Sequence, residues 1–184
     1  MEDLSLHILD IMRNAVESGA DTVRLRVTED AARDRLTLSV QDNGPGMSRR
    51  DLRRAVDPFF TTKGKKVGLG LSLLKQATTM AGGSFGIDSR AGKGTKVRAS
   101  FRMGAIDRQP LGSVMETVVS MLASTPGLRI IYVHVRNGKK LTFDSGRAVS
   151  RRGGAAGDGS RYGDLWKMKE AWERKLGSPG AEKR

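Results

Sequence analysis

Asp3, His7, Asp10, Asn14 and Glu17 recur at steps of three and four near the start of the chain. Helical spacing sets them on one stripe, opposite an apolar one. A polar stripe is also the ordinary solvated side of an amphipathic helix. A second group, Asp42-Asn43-Gly44-Pro45-Gly46-Met47, closes an apolar-alternating run. Asn-Gly-Pro-Gly is turn chemistry whatever its use. It also lets backbone approach a ligand closely. Asp42, which can only accept, would then suit an amino N–H donor such as adenine's exocyclic amine. A third, Lys63-Gly64-Lys65-Lys66-Val67-Gly68-Leu69-Gly70, runs into a helical pattern. Glycines and backbone N–H groups at a helix start make an anion site, and lysines add charge. A solvated loop has the same composition. The spacing fits neither a P-loop nor a Rossmann fingerprint.

The elements that position these groups can be read from periodicity. Asp3 caps a helix to about Ser18 with Leu4, Ile8, Ile11, Met12 and Ala15 inward. Thr22–Val27 and Leu36–Gln41 alternate and pair as an antiparallel hairpin around a polar turn, Glu29–Asp34. Ser48 caps a short helix through Val56, and Asp57–Gly70 reads as a loop. Leu71–Ala81 is a helix with Leu73, Leu74, Ala77 and Met80 inward. Strands follow at Ser84–Ser89 and Thr95–Phe101, then a helix at Ser113–Ser124 and strands Leu128–Val135 and Lys139–Phe143 around Asn137-Gly138. Arg147–Ser160 is a basic, Gly/Ala-rich linker, and Tyr162–Leu176 a terminal helix. The βαβ alternation of a doubly wound fold is absent. The pattern predicts α+β architecture, a two-layer α/β sandwich with helices on one face of a mostly antiparallel mixed sheet.

Composition narrows the chemistry. The 184 residues contain no cysteine, which excludes a disulfide scaffold, a Cys-type zinc site, an iron–sulfur cluster and a thiol nucleophile. No apolar stretch nears the roughly 20 residues of a spanning helix. The acidic opening carries no secretory signal, so no membrane and a cytoplasmic setting are expected. The net charge of +13 raises a nucleic-acid reading. It is disfavoured because the charge is dispersed and only 5% of residues are aromatic.

In their order and spacing the segments resemble the GHKL superfamily: gyrase-type topoisomerases, heat-shock chaperones, histidine kinases and mismatch-repair ATPases. Asp10-Ile-Met-Arg-Asn14-Ala15 stands at the N box, and Asp42 to Met47 at the first glycine box. Asp57-Pro-Phe59-Phe60-Thr-Thr-Lys63 resembles the F-box segment, and Gly68-Leu69-Gly70-Leu71 the second glycine box. Gly82-Gly83, Ser89 and Gly92-Lys93-Gly94-Thr95 close the pattern. PFFTTK followed by GLGLSLLK is most similar to the histidine-kinase branch.

The resemblance implies the Bergerat ATP-binding fold over residues 1–103. A helix-plus-hairpin extension follows at 104–146, then a basic linker and terminal helix at 147–184. It implies ATP and Mg²⁺ as cofactors, with Asn14 the metal ligand and Asp42 recognising adenine, supported by Thr95. Gly44, Gly46 and Met47 would line the base side. Phe59, Lys63, Gly68, Leu69 and Gly70 would form the phosphate-facing lid. Asp10 stands where many relatives have a general-base glutamate, one methylene longer. His7 is either an orienter of Asp10 or an ordinary polar-face histidine. Glu17 replaces a frequent basic residue. Neither His7 nor His134 lies in a phospho-acceptor motif, so a complete autophosphorylating sensor kinase is not expected. The expectation is a stand-alone Mg·ATP-binding regulatory protein of the histidine-kinase-like type. It would hydrolyse ATP or pass its terminal phosphate to a separate partner protein, and a homodimer is compatible with it. The alternative is a non-catalytic, ATP-gated binding module. A nucleic-acid-handling ATPase is a distant third.

Overall fold

The computed structural model describes residues 3–57, 69–146, 166–167 and 169–175. Asp3 caps helix α1 (Leu4–Glu17), its Oδ1 accepting from the Ser5 and Leu6 amides at 3.0 and 3.3 Å. Those are donors that a helix start leaves orphaned. The five apolar residues expected inward are all buried. His7 corrects the sequence reading, because it too is buried, at 6% exposure. Its Nε2 lies 3.1 Å from Gln109 Oε1. It is therefore not part of a solvated stripe.

Strands β1 (Thr22–Asp30) and β2 (Arg35–Asp42) form the antiparallel hairpin, with Val23 opposite Asp42. β1 runs three residues beyond the expected end at Val27. A tight 3₁₀ turn at Ala31–Arg33 and Asp34, at φ 48°, make the connection. There Glu29 pairs with Leu36 on one side and Arg136 on the other, and its carboxylate is bonded inward to His134 and Arg136. Helix α2 (Arg49–Arg54) is capped by Ser48.

Helix α3 (Leu69–Met80) carries a second correction. Leu74 and Thr78 are its buried residues, while Leu73 and Met80 are 40% and 58% exposed. The inward stripe is rotated by about one residue. Thr78 tolerates burial because its hydroxyl donates to the Lys75 carbonyl at 2.7 Å.

Strands β3 (Ser84–Ser89) and β4 (Thr95–Arg102) follow, then helix α4 (Val114–Ser124) and strands β5 (Arg129–Arg136) and β6 (Lys139–Asp144). The sheet order is β3-β4-β2-β1-β5-β6. Every pairing is antiparallel except β1 with β5, which run parallel with Leu25 beside Tyr132. The fold is thus α+β with a mixed sheet. α1 packs between α3 and α4 on one face. The helix and hairpin of 104–146 extend the same sheet and the same core. Each large aliphatic side chain buried there contributes about 1.5–3 kcal/mol.

The far end of that core holds a polar chain. Burial pushes the Tyr132 hydroxyl above its usual range, so it stays a donor. It lies 2.7 Å from His134 Nδ1, and His134 Nε2 lies 2.6 Å from Glu29. A neutral imidazole accepting from Tyr132 and donating to Glu29 satisfies every partner. Burial opposes the Glu29 charge, but hydrogen bonds from His134 and Arg136 hold its carboxyl below the usual range. Residues 166–167 and 169–175 are helical, and Trp172 stacks on Tyr132 at 4.9 Å. The expected linker, apart from residues of this helix, lies outside the described residues.

Candidate functional site

At the end of β2, Asp42 Oδ1 accepts from the Gly44 amide at 2.9 Å and the Thr95 amide at 3.2 Å. Oδ2 has no hydrogen-bond partner among the described residues. The carboxylate is thereby fixed with one acceptor oxygen turned to whatever enters. Glycine is required on both sides of it. A side chain at Gly46 (φ +66°) would lie 2.0 Å from the Arg90 carbonyl oxygen, and one at Gly94 (φ +77°) 2.1 Å from that of Asp42. The turns 42–47 and 90–94 therefore interlock backbone to backbone, with the Gly92 amide donating to the Pro45 carbonyl at 2.7 Å. Asn43 fastens the first turn to β1, accepting from the Asp21 and Thr22 amides at 3.2 and 3.0 Å.

Ser89 is the residue that the sequence reading placed in the motif but not in the site. Its Oγ accepts from the Met47 amide at 2.8 Å and lies 3.0 Å from the Gly94 carbonyl and 2.9 Å from Thr95 Oγ1. A carbonyl only accepts, so the Ser89 proton goes to Gly94 and the Thr95 proton goes to Ser89. Thr95 is left with acceptor lone pairs alone. Asp42 and Thr95 together thus offer acceptors, matched to an amino group. A small cavity lined by His7 and by the apolar residues Ile8, Ile11, Leu38, Val40, Leu74, Val97 and Ala99 lies between α1, α3 and the sheet.

The other half of the site is open. Asp10, Asn14 and Glu17 are exposed on α1. The start of α3 faces the first two. A side chain at Gly70 would stand 3.4 Å from Asp10 Cβ, 3.7 Å from Asp10 Oδ2 and 3.9 Å from Asn14 Nδ2. The absent side chain keeps that space clear. His7 is bonded to Gln109 and makes no hydrogen bond to Asp10. Leu69 is 47% exposed. Phe59, Lys63 and Gly68 lie outside the described residues. Among the described residues no group of three or more His, Cys, Asp or Glu could hold a metal ion. Asn14, whose Nδ2 is the atom nearest the Gly70 gap, carries an amide oxygen of the kind Mg²⁺ accepts while keeping several waters and taking phosphate oxygens as ligands.

A one-faced α/β sandwich with an acceptor carboxylate between interlocked glycine turns defines a nucleotide-binding domain. Residues 2–105 match the model of the histidine kinase-, DNA gyrase B- and HSP90-like ATPase family. The chain belongs to that family, and its ATP-binding, histidine-kinase-like character follows from membership. It is 35% identical over 98 residues to sporulation kinase D of Bacillus subtilis, covering 53% of this chain and 19% of the kinase. It is 38% identical over 109 residues to the sensor protein kinase FleS of Pseudomonas aeruginosa, covering 59% and 27%. The chain thus spans about a fifth to a quarter of these relatives. Among solved structures, the ADP complex of the Aquifex aeolicus MutL ATPase domain aligns with a TM-score of 0.52 at 12% identity, covering 91% of this chain and 70% of that one. The N-terminal domain of a DNA repair protein aligns with a TM-score of 0.54 at 13% identity, covering 77% and 52%. These two likenesses are of fold. No helix among the described residues is long and apolar enough to cross a membrane.

Proposed function

We propose that the chain binds Mg·ATP with adenine on Asp42 and the phosphates toward Asn14 and Gly70. ATP is then spent on a separate protein, by hydrolysis or by transfer of the terminal phosphate. The observation that carries the reading is the fixed acceptor pair. Asp42 Oδ1 is anchored by two amides while Oδ2 stays open, and Thr95 has its proton committed to Ser89. An exocyclic amine is complementary to that pair, whereas the guanine carbonyl would set oxygen against oxygen. Asn14 would hold the metal, which would supply neutralisation of the phosphate charge. Asp10, one turn earlier on α1, would orient and deprotonate a water or acceptor hydroxyl. Lys63, Gly68 and Leu69 would close over the phosphates, with Phe59 beside them.

Calorimetry of ATP against GTP tests the base assignment. Binding of ATP with GTP at least tenfold weaker is expected, and equal affinities would reject it. A second reading, an ATP-gated binding module without turnover, is favoured by one observation. Asp10 has no hydrogen-bond partner among the described residues to orient it, because His7 is turned to Gln109. Turnover by rigorously purified protein, alone and with a captured partner, separates the two.

A further inference from the structure

The sheet has a second face. Alternation puts Val23, Leu25 and Val27 of β1 under the helices, so Arg24 and Arg26 point the other way and are exposed. Cross-strand register sets Gln41 and Ser39 beside them on β2, and Lys96 and Arg98 beyond those on β4. With strands about 4.8 Å apart and alternate residues about 6.8 Å apart, the four cations frame a rectangle of roughly 7 by 10 Å. Arg98 has one exposed partner, Asp88 at 3.7 Å. Arg24, Arg26 and Lys96 have no hydrogen-bond or ion-pair partner among the described residues.

On the other side of β1, the parallel strand β5 adds Ile131, Val133 and Val135, beside Arg24, Arg26 and Thr28. All three are partly exposed, on the face opposite the buried Ile130, Tyr132 and His134. A row of β-branched apolar residues about 13 Å long therefore runs beside two rows of cations. No described helix covers this face.

We infer that this face is a docking surface for an acidic, amphipathic segment of another protein. Its apolar side would lie along Ile131, Val133 and Val135 and its carboxylates on Arg24, Arg26, Lys96 and Arg98. Charge selects this occupant. A second copy would bring the same cations against these. The chain's own residues 147–165 carry four arginines against two aspartates, a net charge of the same sign as the face. Nucleic acid would satisfy the cations but leave the apolar row without a use, and among the described residues the face has no aromatic ring for base stacking. The inference rests on the reading that the chain acts on a separate protein, and it names that protein's contact chemistry.

Fluorescence anisotropy with the full chain and a labelled synthetic helix tests it. The probe has leucines at three- and four-residue spacing flanked by glutamates, and a scrambled peptide of equal composition is the reference. The surface predicts binding that weakens with salt and exceeds that of the scrambled peptide. Binding should fall at least about tenfold in Arg24→Glu/Arg26→Glu. It should fall several-fold in the isosteric Val133→Thr. ATP affinity, read in the same variants, reports retained folding and stands or falls separately. Equal binding of the two peptides, or insensitivity to both variants, overturns the inference. Tighter binding of single-stranded DNA or anionic vesicles, lost in the charge reversal, would also overturn it by assigning the face to another class of partner.

Discussion

The two ends of the candidate nucleotide site are built to different standards. Around Asp42, three backbone amides and a serine hydroxyl fix the acceptors, and two turns touch through glycines that admit no side chain. Around Asp10 and Asn14 the side chains are exposed, and the backbone of Gly70 faces them across a gap. The first end is finished before ligand arrives. The second, on the proposed reading, would be completed by phosphates and metal. A site divided in this way would recognise the base with little reorganisation and reserve conformational change for the phosphates.

The largest expected effect tests the open end. If Asp10 is the base, Asp10→Asn lowers turnover by roughly 10²–10⁴-fold with ATP affinity nearly unchanged. Turnover that survives would remove Asp10 from catalysis. Next, Asp42→Ala leaves the adenine amine unpaired, costing about 1–3 kcal/mol, roughly 5- to 150-fold in affinity. Adenosine and ATP should lose alike in calorimetry. A loss confined to ATP would contradict a base-side role. Asn14→Ala should abolish the gain that Mg²⁺ gives to ATP binding while leaving adenosine binding intact, and an equal Mg²⁺ effect in both proteins would misplace the metal. The smallest effect sharpens the comparison. Ser89→Ala frees the Thr95 proton and unpairs the Met47 amide, costing about 0.5–1.5 kcal/mol. Its signature is reduced preference for ATP over GTP, beyond a lower melting temperature.

A separate measure concerns stability. The Glu29 carboxyl is depressed in the folded chain, so its contribution is full above the unfolded value near 4.5 and disappears as pH falls through the folded one. Acid titration of the melting temperature should therefore show a decline below about pH 4.5 that is shallower in Glu29→Gln.

The sequence made the base side readable because turn chemistry is local. Asp42, Gly44 and Gly46 announce themselves within six residues. The α1 stripe was equally clear, except at its margin. His7 lies between the polar and apolar stripes, and its side is decided by Gln109, 102 residues away. In α3 the expected Leu74 is buried, but Thr78 rather than Leu73 or Met80 completes the inward stripe, a choice made by packing against the sheet. Ser89 is one hydroxyl in a strand, with nothing local to separate it from Ser84. The pairing of β5 with β1 has no sequence signature, because parallel neighbours need no connecting turn.

That last pairing decides how the polypeptide can be divided. β1 sits inside the sheet only because β5 lies against it, and β5 begins at Arg129, far beyond the family-matched residues. A fragment cut at residue 103 would turn β1 into an edge, a row of open amides and carbonyls beside Val23, Leu25 and Val27. Such an edge is a template for another copy. The same exposure arises during synthesis, since β1 leaves the ribosome about a hundred residues before its neighbour is made. In the whole sheet β5 covers that edge, and a chain shortened at residue 103 should elute as larger species than the full chain does.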